Sequence, residues 1–263
     1  MASHPDSTNL KHYQNRLEEF LSTRFGDELL PSHDINHHIR VWKNAQIILE
    51  ELQGAGYSFT PGFQIQVLIA CMTHDIGMAI DTGENHGSES REICLRFLNE
   101  NNIPHHLHTD ILFAVENHDD KSYTETFPPD SLFTVLSVAD DMDAFGYTGI
   151  YRYIEIYLAR NKPENELADL IVSNATVRLK HLMHVYKFLP DFCRSQQERF
   201  RILSDFFDTS EKKFPDTLSN IYNVIIKSLS AKKTTIETAL IGSENHHHET
   251  ALFFKNLLDE MQN

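Results

Sequence analysis

Apolar residues in this chain recur mostly with the spacing of amphipathic helices. One stripe covers residues 41–52 and ends near Gly54, where a helix can stop. Residues 63–72 are apolar on nearly every face, which indicates a buried helix. A short buried strand also fits that run. Further helical stripes follow at residues 200–207, 221–229 and 252–257.

Polar residues mark the candidate starts of shorter helices. Ser88 and Ser131 each stand before a segment with helical apolar spacing, where a hydroxyl can cap the helix. Asp110 opens another such segment, and a tyrosine-rich helix is predicted over residues 147–160.

The distribution of glycine favours the same fold class. No glycine occurs between Gly149 and Gly242, although β-hairpins usually need glycine in their turns. We therefore predict an all-α protein, with a helical bundle over residues 1–175 that carries the chemistry and a C-terminal helical extension over residues 176–263. No linker marks this boundary, so a single domain is the alternative.

Composition narrows the class of protein. The chain has 263 residues, with 23 Lys and Arg against 38 Asp and Glu, a net charge of −15. This excess disfavours bulk binding to nucleic acid or to anionic membranes, although a metal ion can still create a local phosphate site. Three scattered cysteines without a CxxC motif favour a reducing compartment. With no signal peptide or membrane span recognised, we expect a cytoplasmic protein.

Histidine is unusually frequent and unevenly placed. The chain has 16 histidines, and imidazole is the commonest metal ligand in proteins. Nine fall in one part of the chain: His33, His37, His38, His74, His86, His105, His106, His108 and His118.

The first chemistry-bearing motif is the run HDINHHIRV at residues 33–41. His37 and Val41 are four residues apart, so His37 can point inward beside the apolar stripe. His38 is rotated by about 100° from His37 and is expected behind the ligands or at the surface.

Two further motifs place acidic residues next to apolar segments. His74 and Asp75 follow the apolar run of residues 63–72, where burial without partners would cost about 1–3 kcal/mol per polar group. Asp140 and Asp143 are three residues apart on one helix face. A bound cation would satisfy such groups, whereas a metal-free buried polar network is the alternative.

These motifs resemble the signature of the HD superfamily of metal-dependent phosphohydrolases. The matching residues are His37 in an H-x-x-R-V pattern, the doublet His74-Asp75, and Asp140 in an A-D-x-x-D-A pattern. The local sequence is similar to that of small bacterial HD phosphohydrolases with an H-D-x-x-H-x-x-R-V-W opening. The resemblance covers roughly residues 25–160 and implies an HD-domain helical bundle.

The resemblance also implies a ligand set for one divalent cation: His37, His74, Asp75 and Asp140. Some branches hold a second cation through two more histidines between the doublet and the last Asp. His86 and His118 occupy suitable positions, with ordinary helix-end histidines as the alternative. Such ligands suit Mn, Fe, Co, Ni or Zn better than Ca, and Mg is also a candidate.

Further roles follow as expectations. Asp75 would fix the cation and orient a water, and His33 would face the substrate or cap a helix. Asp143 would hold an imidazole from behind, while Lys121 and Arg152 are candidate phosphate contacts, with solvated charges as the alternative.

We thus expect a phosphohydrolase that cleaves a small phosphate ester, nucleotides included, by means of a metal-activated water. One alternative is an HD-type diiron oxygenase that uses all six His and Asp ligands. Another is a non-catalytic module that senses a nucleotide. The sequence leaves the oligomeric state open.

Overall fold

The computed structural model describes residues 7–23, 30–81, 83, 85–124, 126–213, 215–232, 235–240 and 248–262. Within these ranges the chain forms α-helices and short 3-10 helices and contains no strand, so the all-α prediction is confirmed. The α-helices are α1 Ser7–Ser22, α2 Ile35–Gly54, α3 Pro61–Thr73, α4 His86–Glu100, α5 His108–Asn117, α6 Leu132–Asp143, α7 Gly146–Ala159, α8 Glu164–Val185, α9 Pro190–Lys213, α10 Pro215–Ser230, α11 Ile236–Leu240 and α12 His248–Gln262.

The chain divides into two compact units. The first takes its described residues from 1–29 and 35–142, and the second from 30–34 and 143–263. The chain thus passes from the first unit to the second at residue 143, whereas the domain boundary near residue 175 rests on sequence alone and stays a prediction.

Helix α3 forms the centre of the first unit. It contacts α1, α2, α4 and α5, and its residues are buried without a break from Ile65 to Thr73. Thr60 caps the helix, because its Oγ1 accepts a hydrogen bond from the Phe63 amide at 3.1 Å, and Pro61 occupies the first turn. The apolar run is therefore a buried helix and not a strand.

The other helix starts agree with the sequence in part. Ser131 caps α6 as predicted, since its Oγ accepts from the Thr134 amide at 3.2 Å. The prediction that Ser88 caps a helix is wrong, because α4 already begins at His86 and Ser88 lies in its first turn. The backbone at Gly87, in the first turn of α4, packs closely on the carbonyl of Glu116.

In the second unit α7 contacts α8, α9, α10 and α12. Tyr151, Phe145, Tyr186 and Phe207 are among its largest fully buried side chains. In the part of the chain that the structure describes, no helix has both the length and the apolar character needed to cross a bilayer.

Candidate metal centre

Four buried side chains of the first unit converge as the sequence predicts. His37 lies in the first turn of α2, His74 and Asp75 directly follow α3, and Asp140 lies in the last turn of α6. Each is less than one-tenth exposed. Three helices therefore bring together two imidazoles and two carboxylates in the interior.

The distances among these four groups fit one shared cation. His37 Nε2 and His74 Nε2 are 3.1 Å apart and lie 3.3 and 3.4 Å from Asp75 Oδ2. They lie 3.7 and 3.9 Å from Asp140 Oδ1. Two ligands that are each about 2.1 Å from one ion lie roughly 3.0–3.5 Å apart. The four atoms need to move by only a few tenths of an ångström to surround one centre.

A second group of ligand atoms meets the other oxygen of Asp75. Asp75 Oδ1 is 2.9 Å from His118 Nε2 and 3.6 Å from His86 Nε2. Both histidines are buried, His86 at the start of α4 and His118 just after α5. Asp75 thus offers one oxygen to each of two adjacent groups, in the way that a carboxylate bridges two ions.

Backbone carbonyls orient three of the four imidazoles. In each of these rings Nδ1 lies within hydrogen-bond distance of a backbone carbonyl oxygen. For His74 the partner is the Cys71 carbonyl oxygen, at 2.9 Å. For His86 and His118 the partners are the carbonyl oxygens of Gly83, at 2.6 Å, and Val115, at 2.7 Å. In each case the carbonyl belongs to the residue three positions earlier.

A carbonyl can only accept a hydrogen bond, so Nδ1 carries the proton in each of these rings. The neutral ring then presents the lone pair of Nε2 to the cluster, as ligating histidines do. The donor set of four imidazoles and two carboxylates fits divalent first-row ions.

Charge in the cluster agrees with this chemistry. Burial by itself would raise the pKa of Asp75, but the neighbouring imidazoles outweigh it and hold that pKa well below its usual value. Burial lowers the pKa of His74. Burial also acts to lower the pKa of His118, and the contact with Asp75 more than offsets this. An ionised carboxylate and a neutral His74 are the protonation states that bind metals.

Lys121 lies against carboxylates. Its Nζ donates to the His118 carbonyl at 2.9 Å and lies 3.0 Å from Asp141 Oδ1 and 3.4 Å from Asp140 Oδ2. Tyr123 donates its hydroxyl to Asp141 Oδ2 at 2.8 Å. Lys121 therefore steadies the acidic end of α6, and its role as a phosphate contact stays a prediction.

The sequence reasoning missed two acidic residues near the site. Asp141 is fully buried, and a third carboxylate within the motif of residues 138–146 was the signal that could have revealed it. Asp119 places Oδ2 at 3.9 Å from His86 Nε2 and is about half exposed.

His38 lies outside both ligand groups, as expected, but it is fully buried and not at the surface. Its Nδ1 is 3.3 Å from the Cys71 carbonyl, which is also the partner of His74. This shared carbonyl places His38 directly behind a candidate ligand.

Three further candidate residues come together in the second unit. Arg152 Nη1 donates to Asp143 Oδ2 at 3.0 Å, and Arg152 Nη2 is 3.5 Å from His33 Nε2. His33 Nδ1 is 3.0 Å from the hydroxyl of Ser32. All three predicted residues are buried, and their roles stay predictions.

One comparison with known proteins covers the candidate site. Residues 34–148 match the family model described as HD domain, so the resemblance to the HD superfamily is confirmed over that segment, which contains all six candidate ligands. No curated protein matches the chain. A solved protein from Lactobacillus plantarum, a structural genomics target, is similar at 17% identity and a TM-score of 0.42, covering 74% of this chain and 99% of that one.

Proposed function

We propose that this protein is a metal-dependent phosphohydrolase that cleaves a small phosphate ester, with nucleotides among the candidate substrates. His37, His74, Asp75 and Asp140 would hold one divalent cation, and Asp75 with His86 and His118 would hold a second. The observation that carries the proposal is the position of Asp75, with one oxygen in each group of ligand atoms.

The bound ions would supply a water of lowered pKa and positive charge for the phosphoryl oxygens. The residues of the chain hold this arrangement in place. Backbone carbonyls fix the rings of His74, His86 and His118, and Lys121 steadies Asp140. The ligand types favour Mn, Fe, Co, Ni or Zn, with Mg as a further candidate.

The remaining roles are part of the same proposal. Asp75 would orient the attacking water, His33 would face the substrate, and Asp143 would hold an imidazole from behind. Lys121 and Arg152 would contact phosphate. A small phosphorylated molecule is the proposed partner, because the net charge of −15 opposes binding of a polyanion. The three free, buried cysteines support a cytoplasmic location.

The test is reconstitution of the metal-stripped protein with Mn²⁺, followed by assay on p-nitrophenyl phosphate. His74→Ala and Asp140→Ala should each lower kcat/KM by about two orders of magnitude or more, because each removes a ligand. His106→Ala is the matched control, since His106 is exposed. Hydrolysis that survives in both ligand variants at the rate of the unchanged protein would refute the proposal.

An HD-type diiron oxygenase is the second candidate, because two ligand groups that share Asp75 also suit a pair of iron ions. Iron content after anaerobic purification and oxygen uptake with candidate substrates separate the two activities. A colourless protein that hydrolyses phosphate esters with Mn²⁺ would exclude the oxygenase.

A nucleotide-sensing module without catalysis is the third candidate. The complete set of buried ligands argues for an enzyme, since a sensor needs no activated water. If His74→Ala and Asp75→Ala lose metal yet keep the full biological effect, the sensor is correct.

A further inference from the structure

The second ligand group, Asp75 with His86 and His118, is assembled from separate segments of the first unit. Asp75 precedes a short 3-10 turn, Ile76–Ala79, and this turn packs against α4, which begins at His86. Asp75 Oδ1 and His86 Nε2 are 3.6 Å apart. The position of the turn on α4 therefore determines whether these two side chains can share an ion.

One buried hydrogen bond joins the turn to α4. Ser90 is fully buried, and its Oγ accepts from the Gly77 amide at 2.8 Å. Gly77 lies two residues after Asp75, and Ser90 lies four residues, about one helical turn, after His86. The hydrogen bond therefore links the two segments that carry these candidate ligands.

The turn also contacts both candidate ligands through its backbone. The Met78 amide donates to the Asp75 carbonyl at 2.9 Å, so the turn that contains Gly77 begins at a candidate ligand. On its other side, a Cβ at Gly77 would lie 2.2 Å from the His86 carbonyl oxygen, closer than real side chains approach. Gly77 thus lies directly against the backbone of His86 and two residues from Asp75.

The first ligand group depends on other elements. It consists of His37, His74, Asp75 and Asp140. These residues lie on α2 and α6 or directly after α3. Asp75 is thus held by α3 as well as by the turn, whereas His86 depends on the position of α4. A shift of α4 would separate His86 from Asp75 and leave the first group in place.

We propose that Ser90 is a positioning residue for the second ion, because its hydrogen bond to Gly77 sets the distance between Asp75 and His86. The inference rests on the two-ion centre of the proposed function and deepens it, since it assigns a residue that controls the affinity for the second ion alone. Ser90 belongs to neither ligand group. It acts through the backbone of the turn, from behind the ligands.

The test measures binding of Mn²⁺ to the metal-stripped full chain by equilibrium dialysis, with ions counted per chain by mass spectrometry. The unchanged protein should bind two ions. His86→Ala removes a ligand from the second group alone and so gives the affinity of the first group.

Ser90→Ala removes the acceptor of the Gly77 amide. It should weaken binding of the second ion about 10- to 100-fold, the usual effect of losing a contact behind a metal ligand. The affinity of the first group should stay at the value found in His86→Ala, which also shows that the variant is folded.

Ser88→Ala is the matched control, because Ser88 is exposed in the first turn of the same helix. It should leave both affinities unchanged. Ser90→Thr separates positioning from packing, because threonine keeps the hydroxyl oxygen and adds a methyl group at a fully buried position. It should bind the second ion more tightly than Ser90→Ala, whereas an effect of packing alone predicts the reverse order.

The proposal is wrong if the unchanged protein binds only one ion, if Ser90→Ala weakens both ions equally, or if it behaves like Ser88→Ala. It is also wrong if Ser90→Thr binds the second ion no better than Ser90→Ala. A chain that loses the second ion in Ser90→Ala but hydrolyses no phosphate ester would retain this inference and lose the proposed function. Hydrolysis by a chain that binds a single ion would give the opposite result.

Discussion

Asp75 joins the two groups of candidate ligands, whereas His86 belongs to only one of them. We expect Asp75→Ala to lose both ions, because each group loses an oxygen. His86→Ala should lose one ion and keep the other, since His37, His74 and Asp140 remain with Asp75. The measurement is metal content per chain by mass spectrometry after loading and gel filtration.

His106→Ala provides the reference for that experiment, because it removes an exposed imidazole that belongs to neither ligand group. Equal metal content in Asp75→Ala and His86→Ala would show that Asp75 does not serve two sites. In that case the arrangement of its two oxygens would have no functional meaning.

Glu155 predicts a pH dependence of stability. It is fully buried, its Oε2 accepts from the Ser32 amide at 2.8 Å, and burial raises its pKa from 4.5 to about 7. The neutral form is therefore favoured in the fold, so its stabilisation is complete below about pH 4.5 and is lost as pH rises through about 7. Such a shift corresponds to about 3 kcal/mol.

Urea unfolding of the unchanged protein and of Glu155→Gln at about pH 5 and about pH 8 measures this contribution. The glutamine keeps an oxygen acceptor for Ser32 and does not titrate. The unchanged protein should therefore lose stability relative to the variant as pH rises. A stability difference between the two proteins that is the same at both pH values contradicts the prediction.

For single residues, the sequence predicts the candidate metal ligands better than it predicts the residues that pack around them. His37, His74, Asp75 and Asp140 each stand in a recognisable local motif. Asp141 is fully buried, and Tyr123, which donates a hydrogen bond to it, lies 18 residues earlier in the chain. Local spacing carries no information about such a contact.

The contact between α4 and α5 depends on a position without a side chain. A Cβ at Gly87 would overlap the carbonyl of Glu116, which is backbone and cannot turn aside. We expect Gly87→Ala to destabilise the protein by about 1–3 kcal/mol, the usual cost of overpacking. Denaturant unfolding measures the change.

Gly54→Ala is the matched control, because nothing lies within 4 Å of a Cβ at that helix-terminal position. It should be neutral or stabilise by about 0.5–1 kcal/mol. If both alanines change stability equally, close packing at Gly87 is not the cause. His86, the neighbour of Gly87, should also lose metal affinity when the helix start shifts.

Helices with strong patterns are predictable here, whereas contacts at their ends are not. The apolar run of residues 63–72 became α3 with nearly the expected bounds. The start of α7 is different, because Glu260 of α12 accepts from the Tyr147 amide at 2.9 Å and from the Thr148 amide at 3.3 Å. This cap comes from 113 and 112 residues away, so no local pattern could reveal it.

At the scale of the whole molecule, the all-α class followed from periodicity and from the scarcity of glycine. The division of the chain did not, because the segment of residues 30–34 belongs to the second unit although it precedes most of the first. Residues 30–34 belong to the second unit because of tertiary contacts, among them the hydrogen bond from the Ser32 amide to Glu155. The candidate ligands nevertheless all fall in one unit, between residues 37 and 140.

Because all candidate ligands lie in the first unit, we expect bound ions to stabilise that unit. The ligands come from α2, α4 and α6 and from the residues that follow α3 and α5. Ions that bind only the folded state stabilise it by about 2.7 kcal/mol when present at about 100 times their dissociation constant. Chelation should therefore lower the Tm of the unchanged protein and leave that of Asp75→Ala, which removes a ligand from both groups, almost unaffected. Scanning calorimetry with and without EDTA measures both values, and equal shifts in the two proteins would show that Asp75 holds no stabilising ion.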